Sequence, residues 1–157
     1  MWTLMESPIG ELRLVQLDGA ITAIEFSPFS EARVIGEQQD DDPLLVEARA
    51  QLRAYFTREL KEFELPLSPS GTPFQQRVWA ELQQIGYGET ASYGQVAHRL
   101  GLTNASSRAV GLANGRNPVP IVVPCHRVIG ANGSLTGYAG GLPRKQTLLE
   151  LEQDALF

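Results

Sequence analysis

Cys125 is the only cysteine in a chain of 157 residues, and it stands in Ile121-Val122-Val123-Pro124-Cys125-His126-Arg127-Val128, directly before one of the two histidines. A thiol beside an imidazole can do nucleophilic chemistry: the thiolate attacks and the ring takes the proton. An ordinary thiol has a pKa of about 8.5 and is only a few per cent thiolate at pH 7, so it needs a base, a cation or a helix N-terminus to activate it. Side chains adjacent in sequence diverge, so His126 reaches the sulfur most simply through a water molecule. An imidazole acting as a base also needs an acceptor on its second nitrogen. Glu150 and Glu152 both qualify, and the residues alone do not choose between them. The competing reading is that Cys125 is a small buried hydrophobe and His126 a satisfied core or surface histidine. His98, His126 and Cys125 are the only soft ligands and lie far apart, so no metal and no cofactor are expected. A lone cysteine forms no internal disulfide, which points to a reducing, cytoplasmic compartment.

The elements that must position these residues are legible in outline. Asp18-Gly19 between apolar runs predicts a β-hairpin. Asp42-Pro43 predicts a helix N-terminus, and Leu45, Ala48, Leu52, Tyr55 and Phe56 extend the helix over about 43–60. The stretch LPLSPSG then breaks the chain and sets the expected boundary between domains 1–68 and 69–157. Thr72-Pro73-Phe74-Gln75 has capping-box spacing and opens a helix with Phe74, Val78, Leu82 and Ile85 inward. Ser92 and Gln95 repeat that spacing. A short helix with Val96, Ala97 and Leu100 inward stops at Gly101, and SSRAVGLANG predicts a second short helix. The pair fits a helix-turn-helix or an ordinary helical hairpin. Prolines 118, 120 and 124 punctuate a brief buried extended run over 121–123. A glycine-rich loop and a closing helix follow, the latter with Leu148, Leu149 and Leu151 as its apolar positions. The expected fold class is therefore α/β in the α+β sense: a small N-terminal antiparallel sheet with a helix, then a mainly helical C-terminal domain.

The net charge of −5 hides an asymmetry, because residues 90–149 hold no Asp or Glu but carry Arg99, Arg108, Arg116, Arg127, Arg144 and Lys145. A carboxylate-free basic stretch of that length favours an anionic partner. The opening MWTLMESPIG has neither the basic nor the long apolar region of a secretory signal, and no apolar run approaches a bilayer span.

Taken together, GTPFQQRVW, SYGQVAHRLG, SRAVGLANGRN, NPVPIVVPCHRVIG and GSLTGYAGGLPRKQTLLELE resemble the O6-alkylguanine-DNA alkyltransferases, in order over residues 71–152. The earlier part matches loosely, through SPIGELRL. The resemblance implies direct-reversal repair: an O6-alkylguanine (or an O4-methylthymine) is flipped out of duplex DNA, and its alkyl group passes irreversibly to Cys125, once per molecule. It implies that His126 takes the thiol proton through a water, that Glu152 supports His126, and that Asn117 is the hinge behind the pocket. Tyr93 would assist flipping and donate to the purine. Arg108 would enter the base stack, with Ser92, Tyr93, Ala109 and Arg116 as further DNA contacts. Pro120, Val128, Tyr138, Ala139 and Gly140 would line the substrate pocket. The implied partner is double-stranded DNA bound from the minor groove by a monomer, with no membrane. Ser106-Ser107 stand where small apolar residues are common in the family. Two other readings compete: a non-repairing alkyltransferase-like lesion binder, which would lack the acceptor cysteine, and a Cys–His hydrolase or transferase, which the basic stretch disfavours.

Overall fold

Asp18 and Gly19 both take positive φ, 52° and 81°, as the tight turn of a two-residue hairpin requires. The turn joins β2 (Leu12–Leu17) to β3 (Ala20–Phe26), and β1 (Trp2–Met5) pairs with the other edge of β2, giving an antiparallel sheet of order β1-β2-β3. Residues 1–31 and 36–154 are described in this computed structural model, and the chain divides into two units, Met1–Ser70 and Gly71–Phe157.

In the first unit α1 (Pro43–Phe56) packs on the sheet through Leu45, Ala48, Leu52 and Tyr55. Asp42 caps it by accepting from the Leu45 amide, so the last residue of the acidic run serves as a cap. The helix is four residues shorter than its apolar spacing predicts. The amide of Glu59 bonds to the Ala54 carbonyl and that of Arg58 to Tyr55, with Arg58 at φ 65°. This is a Schellman termination with arginine where glycine is usual, so no glycine marks the stop.

The second unit is built of helices. α2 (Pro73–Leu82) and α3 (Tyr93–Arg99) each open on the expected capping box, Thr72 with Gln75 and Ser92 with Gln95. Gly101, at φ 78°, ends the turn after α3, and a 3-10 turn, Asn104–Ser106, leads into α4 (Ser107–Gly115). Trp79 on α2 is buried and donates its indole N–H to the Ala113 carbonyl at 2.9 Å, which locks α2 against α4. Periodicity alone did not single Trp79 out. β4 (Ala91–Ser92) and β5 (Val128–Ile129) form a two-residue parallel ladder that no sequence pattern announces, because it is too short to show one.

α5 (Leu142–Asp154) is the closing helix, but its inward face differs from the expected Leu148, Leu149 and Leu151. Lys145, Leu148 and Glu152 are the buried positions, and Leu149 and Leu151 are half-buried. Positions 145, 148 and 152 fall on one helical face, which brings a cation and a carboxylate into the interior.

Candidate active site

The segment that carries the thiol is a chain of turns. The expected extended run over 121–123 is not formed: Ile121 sits at φ 74°, rare for a β-branched residue, and the Val123 amide bonds back to the Val119 carbonyl at 3.0 Å. Pro120 and Pro124 supply no amides on either side. Asn117 holds the turn together, donating to the Val123 carbonyl at 2.8 Å and accepting from the Val119 amide at 3.0 Å. Cys125–Arg127 then forms a 3-10 turn, and β5 follows it directly. Asn114, buried on α4, grips the Cys125 carbonyl at 3.3 Å.

The buried side chains behind the thiol form a relay. His126 is fully buried, and its Nε2 lies 2.6 Å from Glu152 Oε2. Arg127 forks onto the same carboxylate, Nε to Oε1 at 2.9 Å and Nη2 to Oε2 at 3.1 Å, while Nη1 donates to the Ile85 carbonyl at 2.7 Å. Burial works against the Glu152 charge, but hydrogen bonds and charge from His126 and Arg127 outweigh it and bring the carboxyl down to about 2. Burial lowers the His126 pKa despite the Glu152 contact. The ring is thus neutral at pH 7: Nε2 donates to the carboxylate, and Nδ1, which has no hydrogen-bond partner among the described residues, keeps a bare lone pair. That arrangement is a base ready to accept one proton, with the resulting cation stabilised by Glu152.

The thiol is 4% exposed, and burial pushes it up to about 11. Hydrogen bonding from Asn117, the charge of Lys145 and hydrogen bonding from Tyr138 oppose that rise. The sulfur therefore lies among polar groups, although the resting form is the thiol. Lys145 donates to the carbonyls of Val128 at 2.6 Å and Thr136 at 2.8 Å. It forms no ion pair among the described residues, so its charge is available to a thiolate. Burial lowers the Lys145 pKa, and the neighbouring Cys125 opposes that shift. Burial also raises the Tyr138 pKa well above its ordinary value, with the Cys125 charge and hydrogen bond adding to the effect.

Among the residues singled out from the sequence, Cys125, His126, Glu152, Asn117 and Tyr138 come together. Val128 lies beside them through the Lys145 contact to its carbonyl, and Pro120 is buried in the preceding turn. Ala139 is exposed and Gly140 half-buried in the loop leading into α5. Tyr93, the first residue of α3, hydrogen-bonds through its hydroxyl to Thr136 Oγ1 at 2.9 Å, which joins it to the same loop. Arg108 and Ala109 are exposed on α4, Arg116 is exposed at its C-cap, and Ser92 caps α3. Sequence reasoning missed Asn114, Lys145, Thr136 and the part played by Arg127. Lys145 and Glu152 left a signal: two charged residues seven apart, on the face of a helix that also carries Leu148. Among the described residues no group of three or more His, Cys, Asp or Glu could hold a metal ion, and no helix is long and apolar enough to cross a membrane.

Both units of the chain resemble known proteins. Residues 73–154 match the family described as 6-O-methylguanine DNA methyltransferase, DNA binding domain, and residues 1–69 match 6-O-methylguanine DNA methyltransferase, ribonuclease-like domain. The methylated-DNA–protein-cysteine methyltransferase of Methanosarcina acetivorans is 47% identical over 152 residues, covering 96% of this chain and 97% of that one. That of Mycobacterium leprae is 51% identical over 151 residues, covering 95% and 90%. The solved structure of Mycobacterium tuberculosis O6-methylguanine methyltransferase aligns with a TM-score of 0.89 at 47% identity, over 98% of this chain and 93% of that one. Mycobacterium tuberculosis OGT in complex with DNA aligns with a TM-score of 0.89 at 48% identity, over the same shares. With both of its units matched and its one thiol set in a buried His–Glu relay, this chain belongs to the O6-alkylguanine-DNA alkyltransferases, the methylated-DNA–protein-cysteine methyltransferase family.

Proposed function

We propose that this chain repairs DNA by direct reversal, moving the alkyl group of an O6-alkylguanine onto Cys125. The carrying observation is the neutral imidazole of His126, held by Glu152 at 2.6 Å with Nδ1 bare, one residue from the only cysteine. The target carbon is unreachable inside a duplex, so the nucleotide leaves the stack at a cost of a few kcal/mol. Exposed Arg108 on α4 fills the gap it leaves, and Ala109, Arg116, Ser92 and Tyr93 complete the surface that meets the minor groove. Pro120, Val128, Tyr138, Ala139 and Gly140 enclose the extruded base, and Asn117 keeps the thiol turn in register with α4.

The thiol proton passes through a water to His126 Nδ1. The sulfur electron pair then forms an S–C bond as the C–O6 bond breaks, and its electrons return to the guanine. Tyr93 donates toward the purine and makes it a better leaving group. Moving the proton from thiol to imidazole leaves the net charge of the site unchanged, and Lys145 favours the thiolate further. The product is a thioether, which does not hydrolyse readily, so each molecule acts once. A lone thiol that must stay reduced suits the cytoplasm, and a single-use acceptor needs no second subunit.

The test is to incubate the protein with a duplex carrying O6-methylguanine and measure its intact mass. The expected result is a gain of one methyl, mapped to the Cys125 peptide. Cys125→Ala should stay unmodified and still bind the duplex. Lesion binding by the wild type with no gain in mass would sink the proposal.

A further inference from the structure

We infer that Thr136 is a positioning residue for the reaction, donating its hydroxyl hydrogen to the Tyr93 oxygen so that the Tyr93 proton is left to point at the purine. The inference rests on the reading of Tyr93 as the proton donor, and deepens it.

The contact itself is Tyr93 Oη to Thr136 Oγ1 at 2.9 Å, partly buried and spanning 43 residues of sequence. Both ends are anchored independently of it. Tyr93 follows β4, whose register sets Ser92 opposite Ile129. Its ring also lies against Gly111 of α4, where an added Cβ would sit 3.6 Å from the ring carbons. Thr136 is fixed from behind, because Lys145 Nζ donates to its carbonyl at 2.8 Å and to the Val128 carbonyl at 2.6 Å. The loop before it is folded back by the Gly130 amide on the Ser134 carbonyl at 2.9 Å. One ammonium thus ties the residue behind the thiol turn to the loop carrying Tyr138, and Thr136 passes that placement on to Tyr93.

The direction of the bond decides its consequence. A hydroxyl carries one hydrogen. Were Tyr93 to spend its hydrogen on Thr136, nothing would remain for the base, and the contact would be a latch to be broken before reaction. With Thr136 as donor, the phenol both accepts and donates, and a phenol that accepts a hydrogen bond is polarised into a stronger donor. The two directions predict opposite signs for the loss of the threonine hydroxyl.

Single-turnover alkyl transfer to Cys125 from a duplex carrying O6-methylguanine separates them. Thr136→Val should lower the limiting rate about two- to ten-fold, the value of one hydrogen bond, with the half-saturating DNA concentration unchanged. Thr136→Ser should restore the rate. Adding Thr136→Val to Tyr93→Phe should cost nothing further. Thr136→Ala gives the same readout should the valine variant fold poorly. A Thr136→Val rate equal to or above wild type overturns the inference, as does an undiminished loss in the Tyr93→Phe background. Tyr93→Phe at the full wild-type rate overturns it too, while the methyl gained on Cys125 would leave the repair reading standing.

Discussion

Among the described residues each unit holds a forked arginine–glutamate pair, partly buried in the first and buried in the second, and the two are built alike. Arg13 donates Nε and Nη2 to Glu25 at 3.2 and 2.9 Å, gives Nη2 also to the Ser30 carbonyl at 3.0 Å, and lies against Trp2 and Phe29. Arg127 donates the same two nitrogens to Glu152, gives Nη1 to the Ile85 carbonyl, and lies 5.8 Å from the centre of the Tyr87 ring. The difference is a third member. Glu152 also takes His126, whose other nitrogen is unpartnered among the described residues, whereas Glu25 there pairs with Arg13 alone. The first pair ends in packing. The second converts a neutral ring into a base, because the carboxylate is already charged and already fixed when a proton arrives. A forked ion pair is therefore no sign of function; a buried pair with a titratable third partner beside a nucleophile in sequence is.

Breaking the third member should have the largest effect. His126→Asn removes the proton acceptor, and the alkyl-transfer rate in single-turnover kinetics should fall about 10²- to 10⁴-fold with lesion binding retained. Next comes the shared carboxylate. Glu152→Ala leaves Arg127 buried and uncompensated, and chemical denaturation should show a loss of about 3–5 kcal/mol together with slower transfer. The matching change in the first unit, Glu25→Ala, should cost about 1–3 kcal/mol, and the folded fraction should transfer alkyl groups at the wild-type rate. Equal loss of transfer in both variants would erase the distinction drawn between the pairs.

Acid provides a milder version of the same break. Glu152 has its folded pKa lowered, from an ordinary 4.5 to about 2. The stability it contributes is fully present above pH 4.5 and is lost as pH falls toward 2. Denaturation midpoints of wild type and Glu152→Gln should therefore differ most above pH 5 and converge toward pH 2. The smallest effect is expected at Lys145, whose charge favours the thiolate. Lys145→Met should slow iodoacetamide labelling of Cys125 several-fold at pH 8, by the loss of a charge that lowers the thiol pKa. Labelling at an unchanged or faster rate would remove Lys145 from the site.

The local features of the fold were legible from the sequence because each is coded within four residues: the Asp18-Gly19 turn, the two capping boxes and the Asp42-Pro43 start. Features closed by distant partners were not. The β4–β5 ladder joins residues 37 apart in sequence, Ala91 and Val128, and is two residues long. The termination at Arg58 uses a residue type that carries no stop signal, and the Ile121 turn is imposed by Asn117 and by burial against the extended preference of a proline-flanked apolar run. In the site, Cys125 and His126 were visible as neighbours, but composition left open whether they react. The choice of Glu152 over Glu150 came from the family resemblance, and the structure shows its physical basis. Glu152 is buried on the face of α5 shared with Leu148, while Glu150 is exposed and accepts from Gln146.

Glu152 follows His126 by 26 positions, which has a consequence for biosynthesis. Translation proceeds from the N-terminus at about 5–20 residues per second, so the sulfur and its imidazole leave the ribosome before the carboxylate that organises them. For that interval the nascent chain carries a cysteine without its relay. Until the interior around α5 has closed, the relay that would take the thiol proton is incomplete.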